Sequence, residues 1–359
     1  ALVYGVPGLS GGILLLFLIR PMMPRSPPYD HAKRFKRREE PRLIKTVELL
    51  ATMIGIRPPA IILLSNEVNA SVHYEGGWRG FFSGRKVLTI GMPLVAGLSH
   101  QQLIGVLAHE FGHFAQRFGM RCSYVVNHVN AWLDLRANYA DPWDDRLDAL
   151  RVKSRHLVVR LMVVLARNGI RMSRVLLRGF FFLSFRLSRS LSRQMEFDAD
   201  RYEILLCGSA SFEQTAVRVR ALNQAFTELD KQNAETWREH GLLRNMPAAT
   251  AARVEAFDAS TWAAMRSSMA GGVTRYWDTH PADLDRLGRA HALAAPGMYQ
   301  DDQPASMLFN RFEFYCQQIT LAYYGERNVD HREVELHDQW AGIVPVQRCP
   351  SNPGHLMAN

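Results

Sequence analysis

The residues His109-Glu110-Phe111-Gly112-His113 spell HExxH. Two imidazoles four positions apart share one face of a helix, so both can bind a single zinc ion. Glu110 projects beside them, where a carboxylate can take a proton from zinc-bound water. A catalytic zinc needs a third protein ligand and an open position for water. The sequence around the two histidines offers no such ligand. Farther along runs Ser192-Arg193-Gln194-Met195-Glu196-Phe197-Asp198-Ala199-Asp200, in a helix-like stretch that continues to Leu206 and stops at Cys207-Gly208. Glu196 and Asp200 are four apart and share a face. One carboxylate of such a pair can ligate zinc, while the other orients a ligating histidine by accepting its distal N–H. A solvated acidic face is the plainer alternative. The apolar flank of Met195, Phe197 and Ala199 favours the chemical reading.

The elements that must position these groups are legible around them. Ala60–Leu64, Val68–Tyr74 and Arg85–Ile90 read as three strands, with turn chemistry in Glu75-Gly76-Gly77-Trp78-Arg79-Gly80 between the second and third. Residues 91–97 read as a connection. Ser99-His100-Gln101-Gln102 then has the form of a capping box, with Ser at the N-cap and Gln three residues on. Leu103, Val106, Leu107, Phe111 and Phe114 recur at helical spacing, which places HExxH on an amphipathic helix. After Gly208 the pattern is helical. Ser211-Phe212-Glu213-Gln214 is a second capping-box form, Ala216–Leu229 has helical apolar spacing, and Asn310–Tyr324 is a further apolar helix. Glu235–Ala259 is polar and weakly patterned, as a loop or lid near a cleft would be.

Together these features resemble the membrane-associated gluzincin metallopeptidases, the family that includes the HtpX heat-shock protease and the CAAX prenyl endopeptidase. HEFGH followed by SRQMEFDAD carries most of the resemblance. Val68-Asn69-Ala70-Ser71 is similar to the family's Asn-Ala segment on the edge strand before the active-site helix. Asp278-Thr279-His280-Pro281, followed by Asp285-Arg286-Leu287, is similar to its late Thr-His-Pro element. The resemblance implies one zinc ion per chain, bound by His109, His113 and Glu196, with Glu110 as general base. It implies that Asp200 supports a ligating histidine and that His280 stabilises the oxyanion. It further implies that Asn69, Ala70, Ser71 and Val72 pair with an extended polypeptide substrate by strand addition. The expected fold is mainly α with a small β-sheet (α+β), with an HExxH helix, a second ligand-bearing helix and an N-terminal membrane helix.

Membrane attachment is expected from two regions. Residues 2–19 carry no charge and include Ile13-Leu14-Leu15-Leu16-Phe17-Leu18-Ile19, about the length needed to span a bilayer. A dense basic collar follows, from Arg20 through Lys33, Arg34, Lys36, Arg37 and Arg38 to Lys45. Positive residues beside a membrane helix mark the cytoplasmic side and attract anionic lipid headgroups. The catalytic part is therefore expected to face the cytoplasm. The chain begins on Ala1, as a segment of a longer product would. Residues 156–191 are apolar but carry Arg160, Arg167, Arg171, Arg174, Arg178, Arg186 and Arg189 at helical spacing. A clean membrane span does not hold so many arginines, each costing about 2.5–3.5 kcal/mol at a helix centre. Relatives of the heat-shock type place membrane helices here, so this stretch departs from them. Two readings stand: a basic amphipathic helix lying in an anionic membrane surface, or a core helix with a solvated basic face. In both, a break near Asn168-Gly169 is expected.

Composition agrees with a folded enzyme. The hydrophobic fraction is 47% and the charged fraction 21%, ordinary globular values that exclude a disordered chain. A mean hydropathy of −0.14 argues against a polytopic transporter. The net charge of +9 suits an anionic partner, and without a nucleic-acid fold signature that partner is lipid, not nucleic acid. Cys122, Cys207, Cys316 and Cys349 have no CxxC spacing and form no disulfide framework. The expected organisation is a transmembrane helix (1–20), a basic juxtamembrane linker (21–58) and a zinc peptidase core (59–210) with the basic helix inserted at about 156–191. A helical C-terminal part (211–330) carrying Thr-His-Pro and an irregular tail (331–359) complete it. The function so implied is a membrane-anchored zinc endopeptidase. The rival reading is a membrane-bound scaffold or chaperone-like protein that retains the fold.

Overall fold

The computed structural model describes residues 33–75, 84–138, 156–272 and 281–326, together with positions 149, 153, 274, 336 and 337. The segment 1–20, expected to cross the membrane, and His280 lie outside the described residues. Among the described residues no helix is long and apolar enough to cross a membrane.

The architecture is helical around one small mixed sheet. Strands β1 (Lys33–Arg34), β2 (Ile61–Ser65), β3 (Ala70–Tyr74) and β4 (Lys86–Gly91) lie in the order β1-β2-β4-β3. The aliphatic runs of β2 and β4 pair in parallel, Leu63 opposite Thr89. β3 pairs antiparallel with β4, Val72 opposite Leu88, and forms the sheet edge. Helix α1 (Pro41–Ile54) falls within the stretch expected to be a linker. Pro41 starts it and Gly55, at φ +81°, ends it. Its buried face, Leu43, Ile44, Val47, Leu50 and Ala51, has helical spacing and joins the main core. The expected connection at 91–97 is instead helix α2 (Met92–Gly97), opened by Pro93 in its first turn. Six residues are too short for a periodic signal.

Helix α3 (His100–Ala115) carries HExxH. The capping box forms as its sequence predicts: Gln102 N–H donates to Ser99 Oγ at 3.3 Å, and Ser99 N–H donates to Gln102 Oε1 at 3.0 Å. Leu103, Leu107 and Phe111 are fully buried between the sheet and the later helices. Helix α4 (Arg117–Asn138) follows, and helix α5 (Leu157–Cys207) runs for 51 residues, about 75 Å at 1.5 Å per residue. The basic segment and the Glu196 segment are thus one helix, unbroken at Asn168-Gly169. α4 packs along α5 through Leu133, Ala137 and Leu177.

Arg178 on α5 donates its Nε to the Ala137 carbonyl of α4 at 3.0 Å, and Arg189 stacks over Phe185 at 3.8 Å. Leu161, Leu165, Met172, Leu176, Leu183 and Leu187 are exposed. Val163, Ala166, Ile170 and Leu177 of the same segment are buried, so it covers one apolar row and leaves another exposed.

At Gly208, with φ +94°, the chain turns directly into α6 (Ser209–His240). A Cβ there would meet the Pro296 carbonyl oxygen at 2.9 Å. The Gly208 carbonyl accepts the Phe212 N–H, so the helix starts before Ser211 and the capping box expected there does not form. The expected loop at Glu235–Ala259 is ordered. α6 continues to His240, β5 (Leu242–Leu243) follows, and α7 (Met246–Glu255) is capped by Asn245. Helices α8 (Ala259–Ala270), α9 (Asp283–Leu293) and α10 (Phe312–Glu326) complete the fold. Within the expected irregular tail, Leu336–His337 forms β6 and pairs in parallel with β5. Leu103 and Leu107 of α3 share one core with Leu222 of α6 and Ile319 of α10.

Candidate active site

Where α3 crosses α5, neither helix has room for more atoms. A Cβ on Gly112 would lie 2.8 Å from Tyr202 Cδ2 and 3.1 Å from Ala199 Cα. The small residue inside HExxH therefore lets the two helices approach, and this close approach brings the carboxylates of α5 to the imidazoles of α3. His109 Nε2 lies 3.5 Å from Glu196 Oε2, and His113 Nε2 lies 3.8 Å from Glu196 Oε1. The two imidazole rings are perpendicular, with centroids 4.9 Å apart. One donor atom from each of His109, His113 and Glu196 falls within 4.8 Å of the others. Ligands around a tetrahedral zinc at about 2.0–2.1 Å stand about 3.3 Å from one another. The donor set and its spacing fit zinc with a small contraction.

Behind the histidines is a buried relay. His109 Nδ1 lies 3.0 Å from Asp200 Oδ1. Arg286, from α9, donates its Nε and Nη2 to Asp200 at 2.8 and 2.5 Å, a bidentate clamp. Burial alone would raise the Asp200 pKa, but Arg286 and His109 outweigh it and hold the carboxyl below its ordinary value. Burial would lower the His109 pKa, yet the adjoining Asp200 and Glu196 carboxylates hold it up at about 10. Such a shift marks a site rich in negative charge that favours a cation.

Glu110, His109 and Asn69 are among the residues that line an open cavity of about 470 Å³ between α3, α5, α6 and α9. Ala70, Ser71 and Val72 lie on edge strand β3. Of the expected site residues, His109, Glu110 and Asn69 line this cavity, while His113 and Glu196 lie beside His109. Two residues escaped notice in the sequence. Arg286 sits in the Asp285-Arg286-Leu287 run, but only its partner Asp200, 86 residues away, gives it a role. Glu203 is seven residues after Glu196 on α5 and shares its face; the i, i+4, i+7 series of Glu196, Asp200 and Glu203 was the signal available.

Comparison with known proteins identifies the class of protein as a peptidase. Residues 37–294 match peptidase family M48, and the chain belongs to that family. It is similar to protease HtpX of Pseudomonas fluorescens (strain SBW25), 22% identical over 281 residues, 78% of this chain and 81% of that protein. Protease HtpX of Pseudomonas syringae pv. syringae (strain B728a) is 24% identical over 215 residues, 60% of this chain and 68% of that protein. Among solved structures, S. mikatae Ste24p aligns with 80% of this chain and 57% of its own, at 15% identity and a TM-score of 0.35.

Proposed function

We propose that the chain is a membrane-associated zinc endopeptidase, with His109, His113 and Glu196 holding the metal and Glu110 as general base. The observation that carries this reading is the convergence of three donor atoms within 4.8 Å of one another beside a cavity that Glu110 lines. Zinc bound there would acidify a water molecule and polarise the scissile carbonyl. Glu110 accepts the proton of the attacking water and delivers it to the leaving amine. Asp200, clamped by Arg286, holds His109 in the tautomer and orientation a ligand needs. An extended substrate adds to the edge of β3 through main-chain hydrogen bonds along Asn69, Ala70, Ser71 and Val72, which supply register with little sequence choice. His280, in the Thr-His-Pro run, is assigned to the oxyanion by family resemblance.

Anionic lipid is the proposed second partner. The exposed row of leucines on α5, flanked by arginines, suits the headgroup boundary of an anionic bilayer. The basic collar at 20–45 supports a cytoplasmic orientation of the catalytic part.

Zinc stoichiometry and casein cleavage, measured on the chain and on Glu110→Gln, test the enzyme reading. One zinc in both and cleavage only in the parent is the expected result. Glu196→Ala is expected to lose both metal and cleavage. One zinc with no cleavage in either protein would favour a scaffold that retains the fold.

A further inference from the structure

The cavity beside Glu110 contains a carboxylate that the proposed mechanism does not use. Glu203 is only 5% exposed, yet it lines this cavity along with His109 and Glu110. It accepts no hydrogen bond from any described residue. The two arginines of the same cavity are committed elsewhere: Arg286 clamps Asp200 in bidentate fashion, and Arg220 pairs with Asp283. Helix α3 makes space for the group. A Cβ on Gly105 would lie 3.1 Å from Glu203 Oε1 and 3.2 Å from its Cγ, so a larger residue one turn before His109 would crowd the carboxylate. Apolar walls, Val106, Phe212 and Val219, lead into the cavity from α3 and α6.

A poorly exposed carboxylate with no protein donor is costly, and the cost is recovered when a charged donor arrives. The cavity therefore complements a side chain with an aliphatic stem and a cationic end. An acidic side chain would meet Glu203, Asp283 and Glu110 with both arginines already engaged. A purely apolar one would seal Glu203 from water and leave it without a donor.

We propose that Glu203 is a specificity-determining residue, and that this cavity receives a lysine or arginine side chain from a substrate residue flanking the scissile bond. The inference rests on the endopeptidase reading above. Because Glu110 and His109 share the cavity wall with Glu203, the side chain it holds belongs to a residue at the cleaved bond and not to a distant one.

The test is a cleavage-site profile on a defined peptide library, for the zinc-loaded chain and for Glu203→Gln, with Glu110→Gln as the blank. Zinc stoichiometry and the far-ultraviolet circular dichroism of each variant report on folding. Expected is enrichment of Lys and Arg at one position beside the cut. The ratio of kcat/KM for basic over apolar residues there should fall about tenfold or more in Glu203→Gln, the value of a lost charged hydrogen bond. Cleavage by the parent with no basic preference, or an equal preference in Glu203→Gln, overturns this inference and leaves the enzyme reading standing. No cleavage beyond the Glu110→Gln blank overturns both.

Discussion

Asp200 and Glu203 stand three residues apart on one helix, both nearly inaccessible, with opposite electrostatic fates. Asp200 receives two hydrogen bonds from Arg286 and faces His109, so its ionised form is favoured. Glu203 receives none. Burial, reinforced by the nearby negative charge of Asp200, pushes its pKa up to about 7, with the His109 cation opposing. Between pH 4.5, its ordinary value, and about 7, the folded zinc-free protein keeps a proton that the unfolded chain has lost. The contribution of Glu203 is therefore most favourable below pH 4.5, declines as pH rises to about 7, and is flat above it. Glu203→Gln removes that decline. In zinc-free protein the variant should match the parent near pH 4 and exceed it by up to about 3 kcal/mol at pH 8. Denaturant titrations across that range check this; a parallel pH dependence of the two proteins would show that Glu203 is not buried and unpaired. Keeping a destabilising carboxylate beside the proposed catalytic site is the pattern expected where stability is traded for binding.

At the scale of elements, the site depends on how closely α3 and α5 approach. Gly112 sets that distance, because its missing Cβ would strike the Ala199 backbone as well as the Tyr202 ring. A ring can turn aside, but a helix backbone cannot move without shifting Glu196. Gly112→Ala should destabilise the protein by about 1–3 kcal/mol, the usual cost of overpacking, and weaken zinc binding at the same time. Urea unfolding with zinc and without it separates the two effects. An alanine variant with unchanged stability and metal affinity would mean that the helices are not in contact at this point. Around this crossing, local signals in the sequence were reliable. Ser99 and Gln102 predict the start of α3 because a capping box is closed by residues three apart. The helix start expected at Ser211 failed for a complementary reason. Gly208 makes the turn, with a backbone approach to Pro296 that no local pattern encodes.

Among the described residues, α5 presents the longest run of exposed apolar side chains. Along α5, Arg178 engages α4 and Arg189 stacks on Phe185, and a row of leucines is exposed. The chain should accordingly float with vesicles rich in anionic phospholipid and less with neutral ones. Leu176 and Leu183 are 62% and 57% exposed, so replacing them scarcely disturbs folding. Leu176→Glu with Leu183→Glu should cut vesicle binding about tenfold or more while the unfolding midpoint holds. Binding that survives the double substitution would move the lipid contact to another surface.

Chemistry that depends on neighbours along one helix was determined by the amino-acid sequence alone. The i, i+4 histidines of α3, the Glu110 between them, the acid pair of α5 and three of the sheet's four strands all follow from short-range periodicity. Only the tertiary structure decided which apolar row of α5 is left exposed, that this helix runs unbroken for 51 residues, and that Arg286 clamps Asp200. It alone distinguished the paired carboxylate of Asp200 from the unpaired one of Glu203. A side chain's identity and period are written in the chain, whereas its partners, desolvation and charge state are set by residues distant in sequence that folding brings against it.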